Sequence, residues 1–366
     1  MNIGILTFHR AENFGATLQA YALQTYLSQL GHNVKIIDYR CPAIEMIYDI
    51  INPRILISRK NFVASLKLYV NRFRSINDRI HKKQRFQSFW SSCYKLTPPL
   101  VGVKRDLGFE AYITGSDQVW NLHLTHGLDK MYFLSFPMKD GAKKISYAAS
   151  SENDPNGLLW KNRESIKRML KSFDAISVRE DFLKDDLARF VPNAISVCLD
   201  PTFLLKKSDY VALSKQPAIR EKYVVVYHMT PSKEGVALAE RIARKYSYKI
   251  IEIFGGYSCN KDKDRYKSNL GPSEILGYIS NAEVVITTSF HGLALSVMLN
   301  KEFWVIDHSG NYRQRNLLTL LGLDNRLVVS QEQCPIEEQI DYSSVKNILN
   351  EAVQSSKDFL RKALNK

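Results

Sequence analysis

The chain has 366 residues and a formal net charge of +14, with 45% hydrophobic and 24% charged residues. That length suits two domains with a substantial core, and the balance of residue types excludes a disordered or fibrous protein. The longest apolar runs, such as Val284–Ile286 and Leu293–Leu299, fall far short of the roughly 18–20 residues that a membrane-spanning helix needs.

In chain order, Ile3–Phe8 reads as a strand and not as a signal peptide, because it lacks a basic leader and a small-residue cleavage site. A polar turn at Asn13-Phe14-Gly15 opens a helical pattern over Ala16–Leu30, which Gly31 stops, and Val34–Tyr39 is the next strand. Further strands are predicted at Ala111–Thr114, Ile145–Ala148, Ala175–Val178 and Ile195–Leu199, with helices near Ile166–Lys171 and Asp181–Arg189. Leu204–Lys222 is polar, contains Pro217 and reads as a linker, taken as residues 206–222.

A second series starts at Tyr223–Tyr227 and continues through helix Lys233–Tyr246 and strand Lys249–Phe254. Helix Ser273–Ser280, strand Val284–Thr287, helix Leu293–Leu299, strand Phe303–Ile306, helix Gln314–Leu321 and strand Leu327–Val329 follow. Ser343–Leu364 forms a terminal helix. Alternating strands and helices imply an α/β protein of two doubly wound, Rossmann-like domains, over residues 1–205 and 223–340, with a C-terminal helix in 341–366. Such domains in tandem face a cleft between the carboxyl ends of two sheets, where open α/β folds bind ligands.

The charge is uneven. Residues 1–150 hold 20 Lys/Arg against 10 Asp/Glu, and Arg54–Trp90 alone holds ten basic residues against one acid, Asp78. Apolar residues recur there at helical spacing (Phe62, Leu66, Phe73, Ile76, Ile80, Phe86, Phe89, Trp90), so a basic helical insertion in the first domain is expected at about 54–90. It is either a solvated face with its aromatic stripe packed inward, or a surface for anionic lipid. No nucleic-acid motif accompanies it. Five scattered cysteines without a CxxC pair point to reduced thiols and the cytoplasm, with a peripheral place on the inner membrane face as the stripe's further reading. His123 and His126 lack a third ligand in sequence reach, so no metal and no cofactor are expected.

Several strand ends carry chemistry. Thr287-Thr288-Ser289-Phe290-His291-Gly292 lies where a strand meets a helix N-terminus, a place that favours anions and where His291 can donate or act as a general acid, or simply cap. Gly115-Ser116-Asp117-Gln118-Val119-Trp120-Asn121 groups a carboxylate, two amides and an indole, a mixture suited to sugar, with Asp117 as a base; the alternative is a helix cap before a core tryptophan. Arg179 in Ser177-Val178-Arg179-Glu180 is suited to carboxylate or phosphate, or else pairs with Glu180. Asp200-Pro201-Thr202 reads as a turn at the cleft rim, and one arginine of Asn311–Asn316 is placed to face the cleft.

Together with Asn13-Phe14-Gly15-Ala16 and Leu18-Gln19-Ala20, these motifs in this order resemble the polysaccharide pyruvyl transferase family over about residues 1–321. The resemblance implies a GT-B-like fold. It implies transfer of pyruvyl from phosphoenolpyruvate to two hydroxyls of a sugar in a polysaccharide repeat unit on a lipid carrier, giving a ketal and phosphate. His291 and Asp117 are then the expected catalytic pair. Arg179, Ser289, His291, Gly292 and Arg315 would hold the donor, and Asn13, Gln118, Trp120 and Asn121 the acceptor. Some members carry a donor-binding arginine where this chain has Ser289, which shifts that charge onto Arg179 or Arg315. The competing expectation is a GT-B glycosyltransferase using a nucleotide sugar.

Overall fold

The computed structural model describes residues 1–50, 70, 73, 75–229, 231–255, 262, 264–307 and 312–365. The first sheet is built from β1 (Asn2–Leu6), α1 (Phe14–Gln29), β2 (Asn33–Ile36), α2 (Pro42–Tyr48), α3 (Ile76–Cys93), β3 (Ala111–Thr114), β4 (Lys143–Ala149), α4 (Arg163–Leu170), β5 (Ala175–Val178), α5 (Asp181–Ala188) and β6 (Ile195–Val197). The chain then passes through α6 (Lys207–Leu213). The second sheet uses β7 (Tyr223–His228), α7 (Lys233–Tyr246), β8 (Lys249–Phe254), β9 (Tyr266–Lys267), α8 (Pro272–Asn281), β10 (Val284–Thr287), α9 (Phe290–Met298), β11 (Glu302–Ile306), α10 (Tyr312–Leu321) and β12 (Leu327–Val328), and α11 (Tyr342–Asn365) follows.

Both sheets have six parallel strands, in the orders β2-β1-β3-β4-β5-β6 and β12-β11-β10-β7-β8-β9. The α/β architecture expected from the alternation is therefore present. Helices cover both faces of each sheet, so strands such as β3 and β7 are buried at every position and read as continuous apolar runs. In the first sheet the order reverses between β1 and β3, and in the second between β7 and β10. Each reversal leaves a crevice beyond the carboxyl ends of its two strands.

Helix α1 is apolar nearly all round, with Leu18, Ala20, Ala22, Leu23 and Leu27 buried, because it lies between β2, the turn at Pro201–Leu204 and α8 of the second domain. Helix α11 bridges back. The Tyr342 hydroxyl donates to Lys301 O (2.5 Å) in the second domain, while farther along the helix Ser356 Oγ accepts from Leu199 N (2.9 Å) and Leu364 O accepts from Lys143 Nζ (2.6 Å) in the first.

Much of the basic segment, residues 51–69, 71, 72 and 74, lies outside the described residues. Its end, α3, packs inward. Phe86, Phe89 and Trp90 are core residues, each contributing roughly 1.5–3 kcal/mol of burial free energy, and the Trp90 indole donates to Thr17 Oγ1 (3.2 Å). Its charges turn to the second domain. Lys82 is buried and donates to Gly255 O (2.6 Å), and burial pushes its pKa down to about 8. Arg85 Nε lies 3.9 Å from Glu274 Oε1, and Ser268 Oγ donates to Asp78 Oδ2 (3.1 Å). Within α3, Lys82 is buried against protein and Arg85 is partly exposed, while most of the basic segment read as a solvated face or a lipid surface lies outside the described residues. Among the described residues no helix is long and apolar enough to cross a membrane.

Candidate active site

The two sheet reversals face one another, and the motif residues meet between them. Asn13 follows β1 and caps α1, its Oδ1 accepting from Gly15 N (2.9 Å) and Ala16 N (3.3 Å). Ser289 follows β10 and caps α9, its Oγ accepting from Gly292 N (3.3 Å). His291 stands in the first turn of α9 against the first turn of α1. A Cβ on Gly15 would lie 2.2 Å from His291 Cγ and Nδ1, so the bare backbone there makes room for the ring.

Asp200, at the end of the β6 segment, is the hub. Its Oδ2 accepts from Arg179 Nη1 (2.7 Å) and Ser116 Oγ (3.0 Å), and its Oδ1 accepts from Thr202 N (3.0 Å) and Oγ1 (2.8 Å). His291 Nε2 lies 3.4 Å from the same Oδ2, an ion-pair contact longer than a good hydrogen bond. Burial alone would raise the Asp200 carboxyl. The neighbouring His291 ring and Arg179 guanidinium outweigh it and hold the group well below the usual carboxylate range.

Arg179 is also bound by Glu180 Oε1 (2.8 Å) and Ser150 Oγ (2.9 Å), and its guanidinium carbon sits 4.4 Å over the Phe290 ring. Burial would lower its pKa, but Glu180 and Asp200 carry it above the ordinary arginine value. Its nitrogens are thus committed to protein groups, and it fixes Asp200 beneath the histidine.

Asp117 is half-buried in the turn after β3, at φ 63°, a backbone state that aspartate tolerates, and its Oδ1 accepts from Gln118 N (2.8 Å). Gln118 reaches across the cleft: with its amide oxygen turned toward α10, it accepts from Arg313 Nη1 (2.6 Å) and Nη2 (2.8 Å). A cavity of about 290 Å³ opens beside Arg313, bounded also by Arg179, Asp200, Phe290 and residues of α10 and α11; Gln118 and His291 do not line it.

Four expectations need correction. Trp120 is fully buried, stacks on Phe133 (5.4 Å between centroids) and donates to Tyr132 O (3.0 Å), so it is a core residue and offers no face to an acceptor. Arg315 is exposed and pairs with Asp307 Oδ2 (2.5 Å), away from the cluster; Arg313 is the arginine of that segment at the cleft. Gly292 serves packing, since a Cβ there would lie 2.3 Å from Thr287 Oγ1. Asn121 is buried and caps its own turn, its Oδ1 accepting from His123 N (3.0 Å).

Asp200, Ser116, Ser150 and Glu180 were not singled out as site residues by sequence; their mark is their place at the ends of β3, β4, β5 and β6. Glu152 and Asp154, from the loop after β4, join His123 with donor atoms all within 4.8 Å of one another, an exposed group able to hold a cation.

Two doubly wound domains thus meet at a buried His–Asp–Arg cluster. The sequence model for polysaccharide pyruvyl transferase matches residues 13–310, and the chain belongs to that family. No curated protein matches the chain. Among solved structures it is similar to UDP-N-acetylglucosamine 2-epimerase from Rickettsia bellii, at 11% identity and TM-score 0.45, covering 100% of this chain and 96% of that one. It is also similar to the glycosyltransferase SnogD from Streptomyces nogalater (12%, TM-score 0.39, 100% and 98%) and to the E. coli heptosyltransferase WaaC with ADP (11%, TM-score 0.39, 96% and 100%). At such values nothing about their chemistry passes to this chain.

Proposed function

We propose that this pyruvyl transferase uses phosphoenolpyruvate as donor and a pair of hydroxyls on one sugar of a polysaccharide repeat unit as acceptor. The observation that carries the reading is the buried His291, set at a helix N-terminus on one domain and backed by Asp200 of the other. His291 delivers a proton to the enol carbon, and the carboxylate of Asp200 stabilises the charged ring that precedes this step. The adjacent carbon becomes oxocarbenium-like. One sugar hydroxyl attacks it while Asp117 takes the hydroxyl proton. The carbon–oxygen bond to phosphate breaks, the second hydroxyl closes the ring, and its proton leaves with the phosphate. The helix N-terminus and cleft cations stabilise the donor's negative charge. The acceptor is carried on a lipid, and the enzyme works at the cytoplasmic face of the membrane that holds it.

The test is phosphate release from phosphoenolpyruvate with free and lipid-linked acceptor sugars, with the ketal methyl group followed by NMR. Phosphate release that disappears in His291→Ala supports the reading. Release of a nucleoside diphosphate from a sugar nucleotide in its place would overturn it in favour of glycosyl transfer.

A further inference from the structure

Two arginines stand side by side in the cleft, and their surroundings differ. Arg179 is neutralised by Glu180 and Asp200. Arg313 is half-buried, no carboxylate among the described residues pairs with it, and its acceptor is the neutral amide oxygen of Gln118. Two of its nitrogens are thus engaged by one uncharged atom, although a guanidinium offers five N–H donors in a fork that matches carboxylate and phosphate.

Its position is also costly. Arg313 is the second residue of α10, so a cation lies at the positive end of the helix dipole, in a first turn that contains no acid. Burial and the adjacent Arg179 press its pKa down from the ordinary arginine value, against the smaller opposing pull of Glu180, Asp117 and Asp200. A cation placed against local preference, with an open cavity of about 290 Å³ at its side, fits a group kept for a ligand.

We propose that Arg313 binds the anionic group of the donor, a carboxylate or phosphate, exchanging the Gln118 amide oxygen for it, while Arg179 stays bound within the protein. This deepens the donor reading above and rests on it for the name of the donor. Because Gln118 comes from the turn that carries Asp117, the exchange also frees that turn when the donor arrives.

The experiment measures binding of phosphoenolpyruvate, inorganic phosphate and pyruvate to the full chain by calorimetry, for the wild type, Arg313→Gln, Arg313→Lys and Gln118→Ala, with thermal midpoints alongside. Arg313→Gln should weaken binding of phosphoenolpyruvate roughly ten- to a hundredfold, as expected for a lost charge-assisted pair, with the midpoint unchanged or raised. Arg313→Lys should recover part of the loss, and Gln118→Ala should bind as tightly as wild type or more tightly. Phosphate and pyruvate show which end of the donor is held. Unchanged binding in Arg313→Gln, or a lowered midpoint with unchanged binding, would overturn the proposal and leave the donor reading standing. Wild type that binds phosphate through Arg313 yet releases none from phosphoenolpyruvate would sink the donor reading and keep the proposal. Wild type that binds none of the three anions would end both.

Discussion

Among the described residues, two clusters share one composition, histidine, aspartate and arginine, and they differ in that the second spans the two domains. In the first, His9 Nδ1 contacts Thr7 O (3.1 Å), its Nε2 contacts Asp38 Oδ1 (3.0 Å), and Arg10 binds Asp38 through Nε (2.9 Å) and Nη2 (2.6 Å). Every member lies within ten residues of the end of β1 or just after β2, in one domain. In the second, His291 belongs to one domain and Asp200 and Arg179 to the other, and the histidine Nε2 stands 3.4 Å from its carboxylate with no closer partner among the described residues. The saturated cluster ties the ends of β1 and β2 together; the loose one spans the two domains through a contact longer than a good hydrogen bond. Residue identity does not distinguish the two clusters, whereas partner count and domain boundary do.

Substitutions can break that contrast. The largest effect is expected at His291→Ala, with a fall in kcat for phosphate release of roughly 10²–10⁴-fold and a nearly unchanged urea midpoint. Asp38→Ala should act in the opposite way, costing about 3–5 kcal/mol in urea unfolding because it strands buried partners. If activity vanished while stability held, the two clusters would not differ as described.

Gly15→Ala comes next. Its Cβ would displace the His291 ring, and kcat should drop on the order of a hundredfold while the fold persists; a wild-type rate would show the ring free to move. Acid sharpens the comparison further. His9 and Arg10 outweigh the burial of Asp38, so its pKa is held below the ordinary value of about 3.9, and its contribution to stability is complete above that pH and lost as pH falls through the folded value. Asp38→Asn should therefore flatten the acid limb of stability measured by chemical denaturation, and an unaltered limb would remove Asp38 from the account. The smallest effect belongs to Arg315→Gln, an exposed pair, where donor binding should stay at the wild-type level.

The strands were largely legible in the sequence. Ala111–Thr114, Ala175–Val178, Lys249–Phe254 and Val284–Thr287 agree residue for residue, because apolar, often β-branched runs between turn residues are characteristic of strands covered on both faces. Tyr266–Lys267 was not, since two residues hold no pattern. Periodicity identified the apolar face of α3 but could not say that a second domain lies across its charges. At the site, the placing of His291, Asp117 and Gln118 at strand ends was readable. The choice between Arg313 and Arg315 was not, because residues two apart on a helix point to different sides. Asp-Pro-Thr reads as a turn whether or not its carboxylate anchors a histidine, so Asp200 became visible only when the chain brought α9 over it.

Helix α11 has a mechanical consequence. The chain leaves the first domain after β6 and returns along α11, so the two halves are joined at two separated places, like a door on a pair of hinges. Two crossings limit how far the halves can part more than one crossing would. Nicking the chain between Val329 and Asp341 would leave the halves covalently joined at one crossing alone, so that packing would have to hold His291 over Asp200 with less help from the chain.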